Sequence, residues 1–176
     1  MVGCPSVDQA YDLWILLAQA RRAILHCRDR ELKPYGISAR QAAILFNIQN
    51  GNKQITPTEL SRQLFLAPHT VSEALKRMEK VGLVKLTNDS KRRNLVRISI
   101  TKKGKEAYAN SRKMNSIYSI MSTLSREECV HLTSGLIKIT DAALKEAGKG
   151  HKLASGLLNG LSEFILEKGP GSNGQS

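Results

Sequence analysis

Small polar and basic side chains are concentrated in one stretch of the chain, between residues 68 and 93. The candidate binding residues are Pro68, which opens this stretch, and His69, Thr70, Ser72, Glu73, Lys76, Arg77, Lys80, Lys91, Arg92 and Arg93. Arginine and lysine bind phosphate oxygens and the acceptors of guanine, and short hydroxyl side chains leave room for close approach. This combination of residue types indicates recognition of a polyanion.

A helix from Pro68 to Val81 is predicted to carry the first eight of these residues. Proline is favoured at the first helical position, and Gly82 supplies the left-handed residue that ends a helix. At 100° per residue the apolar side chains share one face, which consists of Val71, Ala74, Leu75, Met78 and Val81. The polar face is therefore free to bind, although a solvated face with a Glu73–Arg77 pair is the alternative for an isolated helix.

A shorter helix is predicted to precede this one, and three residues indicate where it starts. Thr56 is the predicted N-cap, Pro57 the first helical residue, and Glu59 the residue that bonds back to the cap. The helix is predicted to end near Phe65. Two short helices joined by a tight turn are typical of a helix-turn-helix, whose second helix enters the DNA major groove.

A β-hairpin is predicted after Gly82. Val96, Ile98 and Ile100 alternate with polar residues, as in a half-buried strand, and residues 83–87 form its partner. The polar tip contains Lys91, Arg92 and Arg93, and arginines at a loop tip suit a narrow minor groove. A flexible, solvated turn is the alternative interpretation of this tip.

Longer amphipathic helices flank the two short ones. The predicted helices cover residues 8–33, residues 38–50 with a Ser38–Gln41 capping box, residues 102–123, and residues 126–148 after a Ser125–Glu128 capping box. A further apolar stripe predicts an additional amphipathic helix over 149–168. The Gly/Ser tail over 169–176 is predicted to be disordered.

The net charge of +12 is concentrated in the middle of the chain. Residues 51–113 carry 15 basic and 5 acidic side chains, whereas residues 114–176 carry equal numbers of each. A general solubility charge would be spread along the chain, so this distribution favours a surface that meets a polyanion. RNA-binding or architectural proteins use the same charge and stay open as alternatives.

Several other classes of protein are disfavoured. The length suits one domain with an appendage, and no apolar run approaches the roughly 20 residues that span a bilayer. The N-terminus lacks the basic region of a signal peptide, so a cytoplasmic protein is expected. The four histidines and three cysteines have no metal-binding spacing. We therefore predict no metal, no cofactor and no enzymatic activity.

Four strings of residues carry a family resemblance. They are Thr56-Pro57-Thr58-Glu59-Leu60, Thr70-Val71-Ser72 through Leu75, Met78-Glu79-Lys80-Val81-Gly82-Leu83-Val84, and Ile98-Ser99-Ile100-Thr101-Lys102-Lys103-Gly104. Their order and spacing resemble the MarR-type winged helix over roughly residues 8 to 148. The resemblance implies a homodimeric transcription regulator on pseudo-palindromic DNA, usually a repressor released by a small ligand or an oxidant. It also implies a dimer interface made by the first helix and the last two.

The chain departs from the family pattern in the wing, where the family commonly has an aspartate just before the arginine pair. Here Lys91 and Arg92 occupy that neighbourhood, and Asp89 is the nearest acid. The ion pair that orients the wing arginine is therefore not inherited. The segment from Lys149 onward is longer than the family core needs, and its role is not inherited either.

Dimerisation is also expected without the resemblance, because the flanking helices are more apolar than one small winged helix can cover. Two-fold symmetry would place two recognition helices about 34 Å apart on the DNA. A small-molecule effector is left open, with Tyr11, Trp14 and Tyr35 as residues that could line a cleft. Redox sensing through Cys27, and action mainly through protein contacts of residues 149–168, are the alternative functions.

The predicted fold class is mainly α with a small β-hairpin, a winged helix-turn-helix domain flanked by long dimerisation helices. The predicted regions are an N-terminal dimerisation helix (1–37), the DNA-binding domain (38–100), C-terminal dimerisation helices (101–148), the additional amphipathic helix (149–168) and the tail (169–176). The predicted partners are double-stranded DNA and a second copy of the chain, with no membrane.

Overall fold

The computed structural model describes residues 5–50, 55–88 and 95–148. Its elements are α1 (Val7–Leu32), a 3-10 turn (Lys33–Tyr35), α2 (Ala39–Asn50), α3 (Pro57–Leu64), α4 (Pro68–Lys80), β1 (Val84–Asn88), β2 (Val96–Ile100), α5 (Lys102–Ser111), α6 (Asn115–Met121) and α7 (Arg126–Glu146). The chain forms two compact units that divide after Met121. The hairpin tip and the predicted segments 149–168 and 169–176 lie outside the described residues.

Most helix starts follow local capping signals, as predicted. The three predicted boxes, Ser38–Gln41, Thr56–Glu59 and Ser125–Glu128, are all confirmed. In each box the hydroxyl accepts from the backbone N–H three residues later, and the longer side chain accepts from the cap's own N–H. The prediction missed a fourth box, Ser6–Gln9, which begins α1.

The predicted single helix over 102–123 is wrong, because the chain breaks after Ser111 and starts again at Asn115. Met114, between the two helices, has a left-handed backbone with φ 48°. Serine and asparagine bond readily to nearby backbone groups and favour helix ends over helix interiors. The apolar spacing did not reveal this break, so the described residues 102–148 form three helices rather than two.

The core of the first unit is formed by α2, α3 and α4 together with residues of α1, the hairpin and α5. Its fully buried side chains are Leu32, Ile44, Leu45, Leu60, Val71, Leu75, Met78 and Val84. The hairpin is antiparallel, with Val84 opposite Ile100 and Asn88 opposite Val96. The second strand also bonds to a residue outside the hairpin. The Ile98 N–H donates to the Ile55 carbonyl at 3.3 Å. The hairpin is thus fastened to the segment that leads into α3.

The apolar residues of the N-terminal half of α1 are largely exposed within this single chain. Leu13, Trp14 and Leu16 are each more than half exposed. In the C-terminal half of the helix, Cys27 is partly buried. Apolar side chains at helical spacing normally indicate a packed face. The N-terminal half of the helix therefore carries an apolar surface that its own unit does not cover. None of the described helices combines the length and apolar character that crossing a bilayer requires.

Candidate nucleic-acid interface

Helix α4 has the two faces that the sequence predicts, with one exception. Val71, Leu75 and Met78 are buried, and Ala74 is half-buried. Val81 was predicted on the packed face, but it is about half exposed. It leaves the helical phase because it is the C-cap, with φ −93° and ψ 5°.

The predicted DNA-binding residues of α4 lie on its other side. Those that are exposed are Pro68, His69, Glu73, Lys76, Arg77 and Lys80, and those that are half-buried are Thr70 and Ser72. The structure therefore brings all eight together on one helix. Lys91, Arg92 and Arg93 lie outside the described residues, and their place in the site stays a prediction.

Glu73 and Arg77 form an ion pair on this face. The Arg77 Nη2 donates to the Glu73 Oε2 at 3.1 Å, and both side chains are more than 60% exposed. An exposed pair at i,i+4 contributes about 0.5 kcal/mol or less. Such a pair orients the guanidinium but yields easily to a stronger anion.

The N-terminus of α4 has no side-chain cap among the described residues. Its N-cap is Ala67, which cannot accept a hydrogen bond through its side chain, whereas α1, α3 and α7 each begin with a capping box. The first N–H groups of a helix lack intrahelical partners and attract anions. In α4 these donors accordingly remain available at the end of the polar face.

Hydrogen bonds define both ends of α3, and its C-terminal end leads into the turn before α4. Thr56 donates to Glu59 through both its N–H and its hydroxyl, and these bonds lower the pKa of Glu59 below its usual range. At the other end Phe65 has a left-handed backbone, with φ 53°, and the Leu66 N–H donates to the Ser61 carbonyl at 3.0 Å. These bonds fix where α4 begins.

The C-terminus of α4 is fastened to the start of α5. Gly82 is left-handed, with φ 75°, and the Leu83 N–H donates to the Met78 carbonyl at 2.9 Å. The Thr101 hydroxyl donates to the Gly82 carbonyl at 2.6 Å, and the Lys103 ammonium donates to the Val81 carbonyl at 2.8 Å. The exits from α4 and from the hairpin are therefore one connected structure, which explains why their sequence motifs occur together.

Two more contacts complete this structure. A Cβ on Gly104 would overlap the Leu83 carbonyl oxygen and lie 2.8 Å from Ile100 Cγ1, so only glycine fits there. On the hairpin side, the Leu86 N–H of β1 donates to the Glu79 carboxylate at 2.7 Å. The hairpin is thus braced directly against α4.

A cleft of about 410 Å³ lies between α1, the start of α2 and α4. Its lining residues are Leu25, Asp29, Ser38, Ala39, Arg40, Gln41, Ala74 and Arg77. Asp29 accepts a hydrogen bond from the Ala39 N–H at 2.6 Å, so its charge is directed to the start of α2. Arg77 belongs both to this cleft and to the polar face of α4.

The three aromatic residues considered for an effector cleft are not brought together. Tyr11 and Trp14 pack on each other, with ring centroids 5.6 Å apart, near the start of α1. Tyr35 follows the other end of α1, about 30 Å along its axis, and lies under the ammonium of Lys113 at 5.5 Å.

A buried ion pair on α1 was missed by the sequence reasoning. The Arg28 Nη1 donates to the Glu31 Oε2 at 2.7 Å, and Arg28 is only 7% exposed. Burial raises the pKa of Glu31, but hydrogen bonds from Ser116, Arg28 and Asn115 outweigh it and lower that pKa to about 2. The polar run from Ser111 to Ser116 was the only signal for these contacts in the sequence.

Comparison with known proteins agrees with this geometry. A model of the MarR family matches residues 35–93. The organohalide-sensing transcriptional regulator RdhR, solved with 2,4-dichlorophenol, is similar in structure at a TM-score of 0.73 and 28% identity, covering 88% of this chain and 93% of that one. No curated protein sequence matches the chain.

Two further solved structures show the same fold at lower identity. A mutant of MarR from E. coli complexed with operator DNA has a TM-score of 0.70 and 19% identity, over 77% of this chain and 99% of that one. AbsC from Streptomyces coelicolor has a TM-score of 0.69 and 18% identity, over 81% and 98%. Residues 35–93 thus match the MarR family model, and the chain shares its winged helix-turn-helix fold with these transcription regulators.

Proposed function

We propose that the protein is a sequence-specific, double-stranded-DNA-binding regulator that acts as a homodimeric repressor on a pseudo-palindromic operator. The observation that carries this proposal is the polar face of α4, which is exposed over a buried apolar face and begins at an uncapped N-terminus. The second helix of a helix-turn-helix lies in the major groove with its N-terminal residues at the base edges. One relative of the same fold was solved with operator DNA.

The position of each side chain on α4 suggests its role. His69, Thr70 and Ser72 occupy the first turns, where short side chains approach base edges. Lys76 and Lys80 lie further along and are suited to phosphates, while Arg77 is suited to either guanine or phosphate. Lys91, Arg92 and Arg93 of the hairpin tip would bind the neighbouring minor groove.

The test is footprinting of genomic DNA with the purified protein, followed by salt titration on the protected duplex. Each side chain occurs twice in a dimer, so removing one phosphate contact lowers the slope of log K against log salt by about 1.8. We expect this result for Lys76→Ala, Arg92→Ala and Arg93→Ala. Lys138→Ala, an exposed lysine of α7, is the matched control and leaves the slope unchanged.

Three results contradict the proposal. A footprint without two-fold symmetry, or equal affinity for single strands, favours an RNA-binding or architectural protein. Unchanged slopes in all three variants remove the proposed surface from the mechanism. Loss of regulation with intact DNA affinity after deletion of residues 149–168 favours action through a protein partner.

The proposed dimer is supported by exposed apolar residues on the helices that flank the winged domain. On α1 and α6 they include Tyr11, Leu13, Trp14, Leu16 and Tyr118. Since α6 packs along α1, these residues lie on neighbouring helices, and exposed apolar patches mark sites of protein association. A two-fold dimer through these helices would place two copies of α4 on one face of the DNA.

We also propose that a small organic acid is the effector and binds in the cleft that Arg77 lines. The cleft joins apolar Leu25 and Ala74 to the guanidinium groups of Arg40 and Arg77, a combination that suits an apolar ligand with one negative charge. A relative binds 2,4-dichlorophenol. Titration with that phenol and with benzoate should release DNA from the wild-type protein, and Arg40→Gln should weaken the release about tenfold. Equal release from both proteins would exclude this cleft.

A further inference from the structure

The break between α5 and α6 is occupied by the buried ion pair of α1. The Arg28 Nη2 donates to the Ser111 carbonyl, at the last residue of α5. The Glu31 carboxylate accepts from the Asn115 N–H at 2.8 Å, the Ser116 N–H at 3.3 Å and the Ser116 hydroxyl, at the first residues of α6. We call these five residues the α5–α6 joint.

The charges of the joint match the helix ends that they meet. The C-terminus of a helix carries partial negative charge and the N-terminus partial positive charge. Here the guanidinium meets the end of α5 and the carboxylate meets the start of α6, while the two groups also pair with each other. Because both are largely buried, moving either helix would leave a charge without a partner. The joint therefore favours one angle between α5 and α6.

The two helices belong to different parts of the first unit. α5 is fastened to the end of α4 by Thr101, Lys103 and Gly104, and Ala107 of α5 lies in the winged-domain core. α6 instead packs along α1 and exposes Tyr118, which is 77% exposed. The joint thus lies between the DNA-binding part and the surface proposed for the dimer.

We infer that the α5–α6 joint sets the distance between the two recognition helices of the dimer, so that Arg28 and Glu31 are positioning residues for operator spacing. This inference rests on the proposed function. α5 has 10 residues, a lever of about 15 Å. A tilt of about 6.5° at the joint of each protomer moves the other end of α5 by about 1.7 Å, so the distance between the two copies changes by about 3.4 Å, the rise of one base pair.

The test compares binding to operators of different spacing. A duplex is selected from a random pool with the wild-type full chain, and a series is made by adding or removing one or two base pairs at its centre. Affinity for each duplex, and for an isolated half-site, is measured for the wild type, Glu31→Gln and Ser116→Ala. Ser116→Ala removes one hydroxyl and leaves the ion pair, so it gives an answer even where Glu31→Gln fails to fold.

We expect the wild type to lose about tenfold in affinity for each base pair added or removed. In the joint variants this penalty should fall to about threefold or the optimum should shift by one base pair, with half-site affinity unchanged. Ile44→Val, a core substitution away from the joint, controls for loss of stability alone and should keep the wild-type profile.

The failures of the inference and of the proposed function are distinguishable. A sharp wild-type preference that both variants retain overturns the inference and leaves the DNA-binding dimer intact. A profile that broadens equally in Ile44→Val also overturns the inference, since any loss of stability would then suffice. A wild-type protein that selects no symmetric duplex overturns the proposed function and the inference together.

Discussion

Among the described glycines, Gly104 is the one at which an added Cβ would be most crowded. Any side chain there would overlap the Leu83 carbonyl, which is part of the backbone and cannot rotate away. We expect Gly104→Ala to lower the free energy of unfolding by about 2–3 kcal/mol, as measured by chemical denaturation. Gly135→Ala is the matched control, because a Cβ at this position in α7 meets nothing within 4 Å. That variant should be stabilised by about 0.5–1 kcal/mol, and equal effects at the two sites would contradict the clash.

Glu31 should make the stability of the protein depend on acid. Its pKa is about 2 in the folded chain against a usual value of 4.5, because the bonds from Ser116, Arg28 and Asn115 favour the carboxylate over the raising effect of burial. Its contribution is therefore complete above about pH 4.5 and is lost as the pH falls towards 2, a loss on the order of 2–3 kcal/mol. Denaturant midpoints measured from pH 6 to 2 should show a smaller fall for Glu31→Gln than for the wild type. Parallel curves for the two proteins would exclude this role.

At the scale of elements, helix starts that depend on neighbouring residues can be predicted from the sequence. Capping boxes such as Thr56–Glu59 lie within four residues, so the amino-acid sequence alone is enough to predict the starts of three helices. The break after Ser111 could not be predicted in this way, because its partners Arg28 and Glu31 lie about 85 residues away along the chain. Apolar spacing continues across that break and suggests one helix. The bonds that Arg28 and Glu31 make to the end of α5 and the start of α6 stabilise the break.

The Thr101 hydroxyl makes two of the contacts that link α4 to α5. Thr101 donates to the Gly82 carbonyl and accepts from the Gly104 N–H, so it caps α5 and fixes the end of α4 at once. We expect Thr101→Val to lower the free energy of unfolding by about 1–2 kcal/mol, and to weaken DNA binding as well because α4 is less firmly held. Thr101→Ser keeps the hydroxyl and should retain most of both, as thermal melts and DNA titrations can check. A serine variant as weak as the valine variant would point to the lost methyl group instead.

For the candidate site, the helical period predicted the polar face of α4 correctly, because a rigid helix turns sequence spacing into direction. The same reasoning misplaced Val81, since the helix ends just before it. It also gave no warning that Arg77 lines a cleft with Asp29 and Arg40. The cleft forms between three helices, and the spacing of apolar residues along one helix does not show which other helices pack beside it.

At the scale of the whole molecule, the exposed half of α1 contains a tryptophan whose fluorescence can report dimer formation. Trp14 is the only tryptophan of the chain and is 60% exposed in a single protomer. In the proposed dimer a second copy covers it, so its fluorescence should shift to longer wavelength on dilution, in step with the loss of dimer in sedimentation velocity. Leu16→Asp would place a charge on another side of the same exposed half of α1 and should weaken the dimer on the order of a hundredfold.

Phe46→Asp is the matched control for the α1 surface. Phe46 is also about half exposed, but it lies on α2, outside the proposed interface, and its replacement should leave the dimer intact. A dimer that sediments normally while the Trp14 emission does not change with concentration would exclude the Trp14 side of α1 from the contact. Since Trp14 and Leu16 lie about 200° apart around the axis of α1, the fluorescence and the substitution examine two sides of this half of the helix by independent means.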